Sequence, residues 1–312
     1  MTPQESLPAG IWRRLGAFAI DCVLIGLVGV LAGTVLYDTL VNLGGWGRLL
    51  GFVIGLAYFG PLNSRLGGGQ TLGKRLLGIK VIGADGAPLP LPRSLLRYAV
   101  IGTPWFLNGA PYPPDLLMSP VIYVLSLAIF GLGLSTIYLF FFNRPTRRAL
   151  HDLVAGSYVV RAEGAGRVAE VPLWRTHRVL VAVIFVAAAI TPLITSRLAT
   201  RGSFAGIMQT FRAVSAEPGI THAQVNKGWS SGSNGRVTYL QITAFLAEPR
   251  LDDAELARRL ARTAIEADPS ALKLQVLRVL LVYGYDIGIA SAHRSRAYDS
   301  PPAVWAGAEP AR

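Results

Sequence analysis

Three apolar runs decide what this chain can fold into: residues 15–36, charged only at Asp21, and the uncharged stretches 119–142 and 179–195. About 20 apolar residues cross the hydrocarbon core of a bilayer, and all three come near or exceed that length. Charged residues make up 15% of the chain, against about 25% in ordinary soluble domains. The 312 residues leave room for a second, soluble unit at roughly 100–200 residues per domain.

Asp21 is the exception that needs an account. A carboxylate near the middle of a crossing helix costs roughly 2.5–3.5 kcal/mol on insertion scales, so it needs a partner, a proton or water. Arg14 precedes it by seven positions, two helical turns, which puts both side chains on one face about 10 Å apart in rise. The expected pair is either a clamp between helices or part of a path for something charged. Cys22 is the only cysteine, which removes intrachain disulfides and Cys-based metal sites. It reads as a small buried residue. The first run exceeds the usual 7–15 residues of a signal-peptide core and lacks a cleavage site, so it reads as a retained anchor.

Two weaker segments fix the topology. Residues 49–62 are short but extend back through Gly44 to Gly47, with Trp46 suited to an interface, and Gly60-Pro61 should break the helix. Residues 94–110 contain Arg97 and Pro104, which argue against a crossing. Yet residues 65–97 carry six Lys and Arg against Asp85 alone, and residues 144–178 carry seven arginines against three acids. Basic loops stay in the cytoplasm, so the chain must cross twice between them. The prediction is five crossings, N-terminus inside and C-terminus outside. The formal charge of +12 lies mostly in these loops. No basic run is interleaved with aromatics, as a nucleic-acid groove requires, so nucleic acid is not a predicted partner.

The inner loops carry the motifs. Gly68 to Lys74 fits the first seven positions of a phosphate-binding loop, but Arg75 stands where Ser or Thr would hold magnesium. The better reading is a surface helix: Leu72, Leu76 and Ile79 on one face, Lys74 and Arg75 on the other towards anionic head groups. Asp85-Gly86 supplies a turn, and Pro92 opens the next helix. His151-Asp152, next to Arg148, lacks a nucleophile or metal partner, and reads as an ion pair or helix cap.

Together, Arg13-Arg14-Leu15-Gly16-Ala17-Phe18-Ala19-Ile20-Asp21, Gly69-Gln70-Thr71-Leu72-Gly73-Lys74-Arg75 and Arg147-Arg148-Ala149-Leu150-His151-Asp152-Leu153-Val154-Ala155-Gly156 resemble the RDD family of small bacterial membrane proteins, named for one arginine and two aspartates. The resemblance covers roughly residues 9–161. It implies an inner-membrane protein in which Arg14, Asp21 and Asp152 are the family residues, with Lys74, Arg75, Arg148 and His151 secondary. Ser157 stands where the family commonly has Thr. For activity the family implies transport, with cation/proton exchange claimed for some members; no cofactor, metal or enzymatic role follows from it.

Beyond residue 198 the character changes. A helix at 203–216, strands at 222–229 and 236–247, a helix at 252–267, and a hairpin of 272–283 with 286–296 about Gly284 predict a small extracytoplasmic α+β domain, a helix on an antiparallel sheet. The domain plan is 1–165 for the membrane region, 166–198 for a basic loop and final crossing, 199–299 for the outer domain and 300–312 for a loose tail. His222, His293, Asp286 and Asp299 show no metal-ligand spacing. Trp229 and Tyr239 are either an exposed aromatic patch or core.

Two functions stay open. One is a transporter of a small cation, proton or other small ligand through Asp21 and Arg14; five crossings are few for a carrier, so a homo-oligomer is expected. The other is a non-transporting scaffold, sensor or assembly partner whose outer domain binds a protein or ligand.

Overall fold

The computed structural model describes residues 7–307, apart from 164, 165, 170, 200, 201, 233 and 234. Among the described residues three helices are long and apolar enough to cross a membrane: α1 (Ile11–Val35), α5 (Val121–Phe142) and α7 (Arg175–Ala199). Between α1 and α5 lie the shorter α2 (Gly47–Leu62), α3 (Leu72–Leu76) and α4 (Leu91–Leu107). Both α2 and α4 run the length of the bundle. At one end they meet the C-terminal domain, through Gly47 against Asp286 and Trp105 bonded to Gly288. At the other they reach the basic loops, through Ser64 bridging to Leu89 and Arg93 bonded to Ala155.

Those two basic loops are tied together. Strand β1 (Ile79–Gly83) pairs antiparallel with β2 (Ser157–Arg161), Ile79 opposite Arg161 and Gly83 opposite Ser157. Ala9 adds its N–H to the Val159 carbonyl at 2.9 Å. Charge counting placed both loops at one end, and the ribbon holds them there. The short α6 (Leu150–Val154) leads into β2.

The surface helix expected after Gly69 differs from the reading above. Only Leu72–Leu76 is helical, and Leu72 and Leu76 face outward while Lys74 turns in. Thr71 caps it, accepting from the Lys74 N–H, so the helix docks by its N-terminal turn rather than by an apolar face. Cys22, expected to be buried, is exposed on the flank of α1.

After α7 comes α8 (Gly202–Ser215), then β3 (Ile220–Gly232), β4 (Gly235–Leu246), α9 (Ala254–Ala267), β5 (Val276–Asp286) and β6 (Ser291–Ser300). The sheet order is β3-β4-β5-β6. It is mixed, not antiparallel: β4 and β5 run parallel from Tyr239/Val276 to Phe245/Val282. A helix between two neighbouring strands returns the chain to the starting edge, and that enforces the parallel pair. α9 is capped by Asp253, which accepts from the Leu256 N–H at 2.8 Å, and it buries Leu256, Leu260 and Ile265 against the sheet. Each such side chain contributes about 1.5–3 kcal/mol.

The last hairpin turns at Ile287–Ala290, not at Gly284, which stays in the ladder opposite His293. Asp286 accepts from the Gly288 N–H at 2.7 Å, and Gly288 has φ +75°. An Asx turn with a left-handed glycine closes the strands there. The expected loose tail is held as far as Trp305, which is buried and donates its indole N–H to the Leu277 carbonyl at 3.0 Å; residues 308–312 lie outside the described residues.

Candidate functional site

One stripe of α1 is buried: Arg14, Ala17, Asp21, Ile25, Gly29 and Gly33, spaced three or four apart. The two charges on it do not pair with each other. Arg14 donates to the Asp152 Oδ2 at 2.6 Å and to the Arg147 carbonyl. Arg97 donates from Nε and Nη2 to the Asp152 Oδ1 at 3.0 and 2.7 Å. Asp152 also accepts from the Ala149 N–H and the Ser157 hydroxyl, each at 3.2 Å. Two guanidiniums therefore hold one buried carboxylate at the start of α6. Arg14 and Asp21, two helical turns apart on this stripe as their spacing implied, do not bond to each other, and each finds a partner at its own depth.

Burial alone would raise the Asp152 carboxyl, but the Arg97 and Arg14 guanidiniums hold it well below the usual carboxylate range. Burial pushes the neighbouring His151 down to about 3, so it is neutral near pH 7. A depressed folded value adds stability above the unfolded carboxylate value of about 3.9, lost as pH falls through the folded one. Thermal stability in detergent should show no loss from this group between pH 7 and about 4.5. For Asp152→Asn that acid-side component should vanish, and an unchanged acid limb would contradict the assignment.

Asp21 is fully buried and neutralised differently. Its carboxylate accepts from Tyr58 at 2.8 Å, from Thr71 at 2.5 Å and from the Gly73 N–H at 2.8 Å. None of the three carries charge. Lys74, one residue on, forms no ion pair among the described residues; its Nζ lies 3.5 Å from the Thr71 hydroxyl and 5.9 Å from the Phe59 ring centre. Burial, with Arg97 nearby, pulls Lys74 down to about 7.

Arg75 reaches the Gly67 carbonyl at 3.3 Å. Arg148 braces β2 through the Ser157 carbonyl at 3.1 Å and stacks 4.3 Å from the Tyr158 ring. The structure thus gathers Arg14, Asp152 and His151 on one side and Asp21 with Lys74 on the other. Arg97, Tyr58 and Thr71 complete the set. Sequence reasoning treated Arg97 as one of the loop charges and as an obstacle to a crossing, although a buried arginine inside an apolar helix is itself a signal.

Above these charges a cavity of about 580 Å³ rises between α1, α4 and α5. Its foot holds Arg14, Lys74, Arg97, Asn63, Thr136 and His151; its walls are apolar, and Trp105 stands near the far end. Five residues of α5, Leu127–Gly131, form a π turn whose Ile129 and Phe130 line it. Buried Oδ1 of Asn63, Oγ1 of Thr136 and Nδ1 of His151 have no hydrogen-bond partner among the described residues.

The candidates of the C-terminal domain are spent structurally. His222 stacks on Phe245 at 3.8 Å and His293 meets the same ring edge-on at 5.9 Å. Asp299 pairs with Arg278 and Asp286 with Arg48, each at 2.6 Å. Trp229 is exposed, with the Arg236 guanidinium 4.5 Å over its ring. Among the described residues no group of three or more His, Cys, Asp or Glu is placed to hold a metal.

Residues 8–156 match the RDD family. An uncharacterized protein of Bacillus subtilis (strain 168), YckC, is 28% identical over 155 residues, covering 50% of this chain and 85% of its own length. No solved structure matches. The chain therefore combines a membrane region similar to the RDD family over residues 8–156 with a further apolar helix and a sheet-containing domain.

Proposed function

We propose that this multi-pass protein, with its RDD-family membrane region, is a receptor-like scaffold of the bacterial inner membrane rather than a cation carrier. One observation carries the reading: the β5–β6 tip is seated in the end of the bundle opposite the charged site. The tip backbone lies against Gly47 and Gly51 of α2, the side chains of Ile289 and Ala290 lie against Gly29 of α1, and Trp105 of α4 donates to the Gly288 carbonyl at 2.9 Å. Arg48 secures it through Asp286 and the Asn108 carbonyl, 2.5 Å away. A domain wedged among three helices reads their spacing directly.

Cation passage is the weaker reading. Both Asp21 oxygens are taken up by fixed neutral donors, and Arg14, Lys74 and Arg97 line the cavity where a cation would travel. Like charges in a low-dielectric site repel strongly. On this proposal α1, α2, α4, α5 and α7 all cross, with the N-terminus inside and the outer domain outside, in line with the shared end of the basic loops. Arg14, Asp21 and Asp152 then serve as a packing device, and the homo-oligomer a five-crossing carrier would need is not required. Protein in sealed vesicles is expected to pass protons and small cations no faster than protein-free vesicles. A pH- or cation-driven flux that disappears in folded Asp21→Asn would return the carrier reading.

A further inference from the structure

We propose that the cavity between α1, α4 and α5 is a binding site for an anionic membrane lipid with a hydroxyl-bearing phosphate head, its acyl chain lying along the cavity.

The walls select the chain. Leu15 and Phe18 of α1, Ile101 of α4, and Phe130, Leu134 and Ile137 of α5 are apolar, and each methylene buried among them contributes about 0.8 kcal/mol. The volume of about 580 Å³ falls in the roughly 300–1,000 Å³ range of small-molecule sites. The axis runs from the charged end of the bundle towards Trp105, the direction an acyl chain takes from a head group at the interface.

The foot selects the head. The three cations Arg14, Lys74 and Arg97 meet only two carboxylates there, Asp21 and Asp152. Arg14 and Arg97 are spent on Asp152, and Asp21 is saturated by neutral donors. Lys74 makes no direct ion pair among the described residues, its nearest carboxylate Asp21 being bonded to other donors, and it lines the cavity. A phosphate oxygen answers it, and the Thr136 hydroxyl is a second donor to the same anion. Asn63 spends its amide N–H₂ on the Phe59 carbonyl at 2.9 Å, leaving Oδ1 as a free acceptor. His151 turns Nε2 to Asp152 at 3.5 Å; with the proton on that nitrogen, its unpartnered Nδ1 is an acceptor too. Buried acceptors beside a cation call for a ligand that brings both negative charge and hydroxyl donors. Asn63 and His151 are 2% and 4% exposed, and unpaired groups at that depth are exceptions in folded proteins.

This site gives the receptor-like scaffold its ligand, and it rests on that reading in treating the cavity as a resident site rather than a passage. The test adds 1-oleoyl-lysophosphatidylglycerol to full-length protein in a neutral detergent and reads native mass spectra and the melting temperature. A one-to-one adduct and a rise in melting temperature are expected. The zwitterionic 1-oleoyl-lysophosphatidylcholine and the free head, glycerol 1-phosphate, should each bind at least tenfold more weakly. Lys74→Gln should fold, since it removes an unpaired cation, and should weaken the anionic lipid about tenfold. Leu134→Trp, which fills the shaft and leaves the foot intact, should also block it. Equal binding of the zwitterionic lipid, tight binding of the free head, or full affinity in Lys74→Gln would each overturn the proposal. Ion flux tests the scaffold reading separately, so either can fail alone.

Discussion

Asp152→Asn should destabilise the protein by about 3–5 kcal/mol, the range for breaking a buried ion pair from one side. The substitution keeps the shape of the side chain and removes the charge that answers both Arg14 and Arg97. Both arginines are buried, and Asp21, the other carboxylate nearby, is held by Tyr58, Thr71 and Gly73. Asp21→Asn should cost less, about 1–3 kcal/mol, because it loses hydrogen bonds to neutral donors and breaks no direct ion pair among the described residues. Denaturant titration in micelles, followed by tryptophan fluorescence, ranks the two. If Asp21→Asn proves the more damaging, the clamp has been assigned to the wrong aspartate.

Gly51→Ala is the second large effect, and an unusual one for a helical glycine. In a helix interior alanine is favoured over glycine by roughly 1 kcal/mol, so the swap would ordinarily help. Here a Cβ at position 51 would run into the Ile287 carbonyl, which is backbone and cannot rotate away. The tip must lift, at about 1–3 kcal/mol or more. Hydrogen exchange at residues 286–290 should accelerate while the α9 core stays protected. Gly26→Ala supplies the contrast: its Cβ would sit 3.5 Å from the Ile289 carbonyl, an ordinary contact, and exchange should stay unchanged. Equal behaviour of the two would remove the argument for a seated tip.

Much of this architecture was legible in the residues. The apolar runs gave α1, α5 and α7, and the balance of charge put the basic loops at one end, where β1 and β2 join them. Helical spacing and turn chemistry gave the element order of the C-terminal domain. The failures share a cause. Periodicity tells which residues share a face, not which element that face will meet. It placed Arg14 and Asp21 on one stripe, correctly, but could not see that Asp152 and Arg97 would arrive at one depth and Thr71 and Tyr58 at the other. Lys74 looked outward-facing because the five-residue α3 is too short for a pattern to define its buried side. Gly284 looked like a turn because glycine usually marks one; the Asx geometry at Asp286 and Gly288 won.

The distances along the chain between these partners set an order of assembly. Asp21 finds its hydroxyl and amide donors 37 to 52 positions downstream, within the next hydrophobic segment and the loop that follows. Arg14 must wait for a carboxylate 138 positions away. During synthesis the first helix can settle its acid early, whereas its guanidinium stays uncompensated until α5 has been made and residue 152 emerges. Closing long loops is slow and comes late. A truncated or mis-inserted chain would leave that cation exposed, so the final ion pair doubles as a check that every earlier helix has gone in.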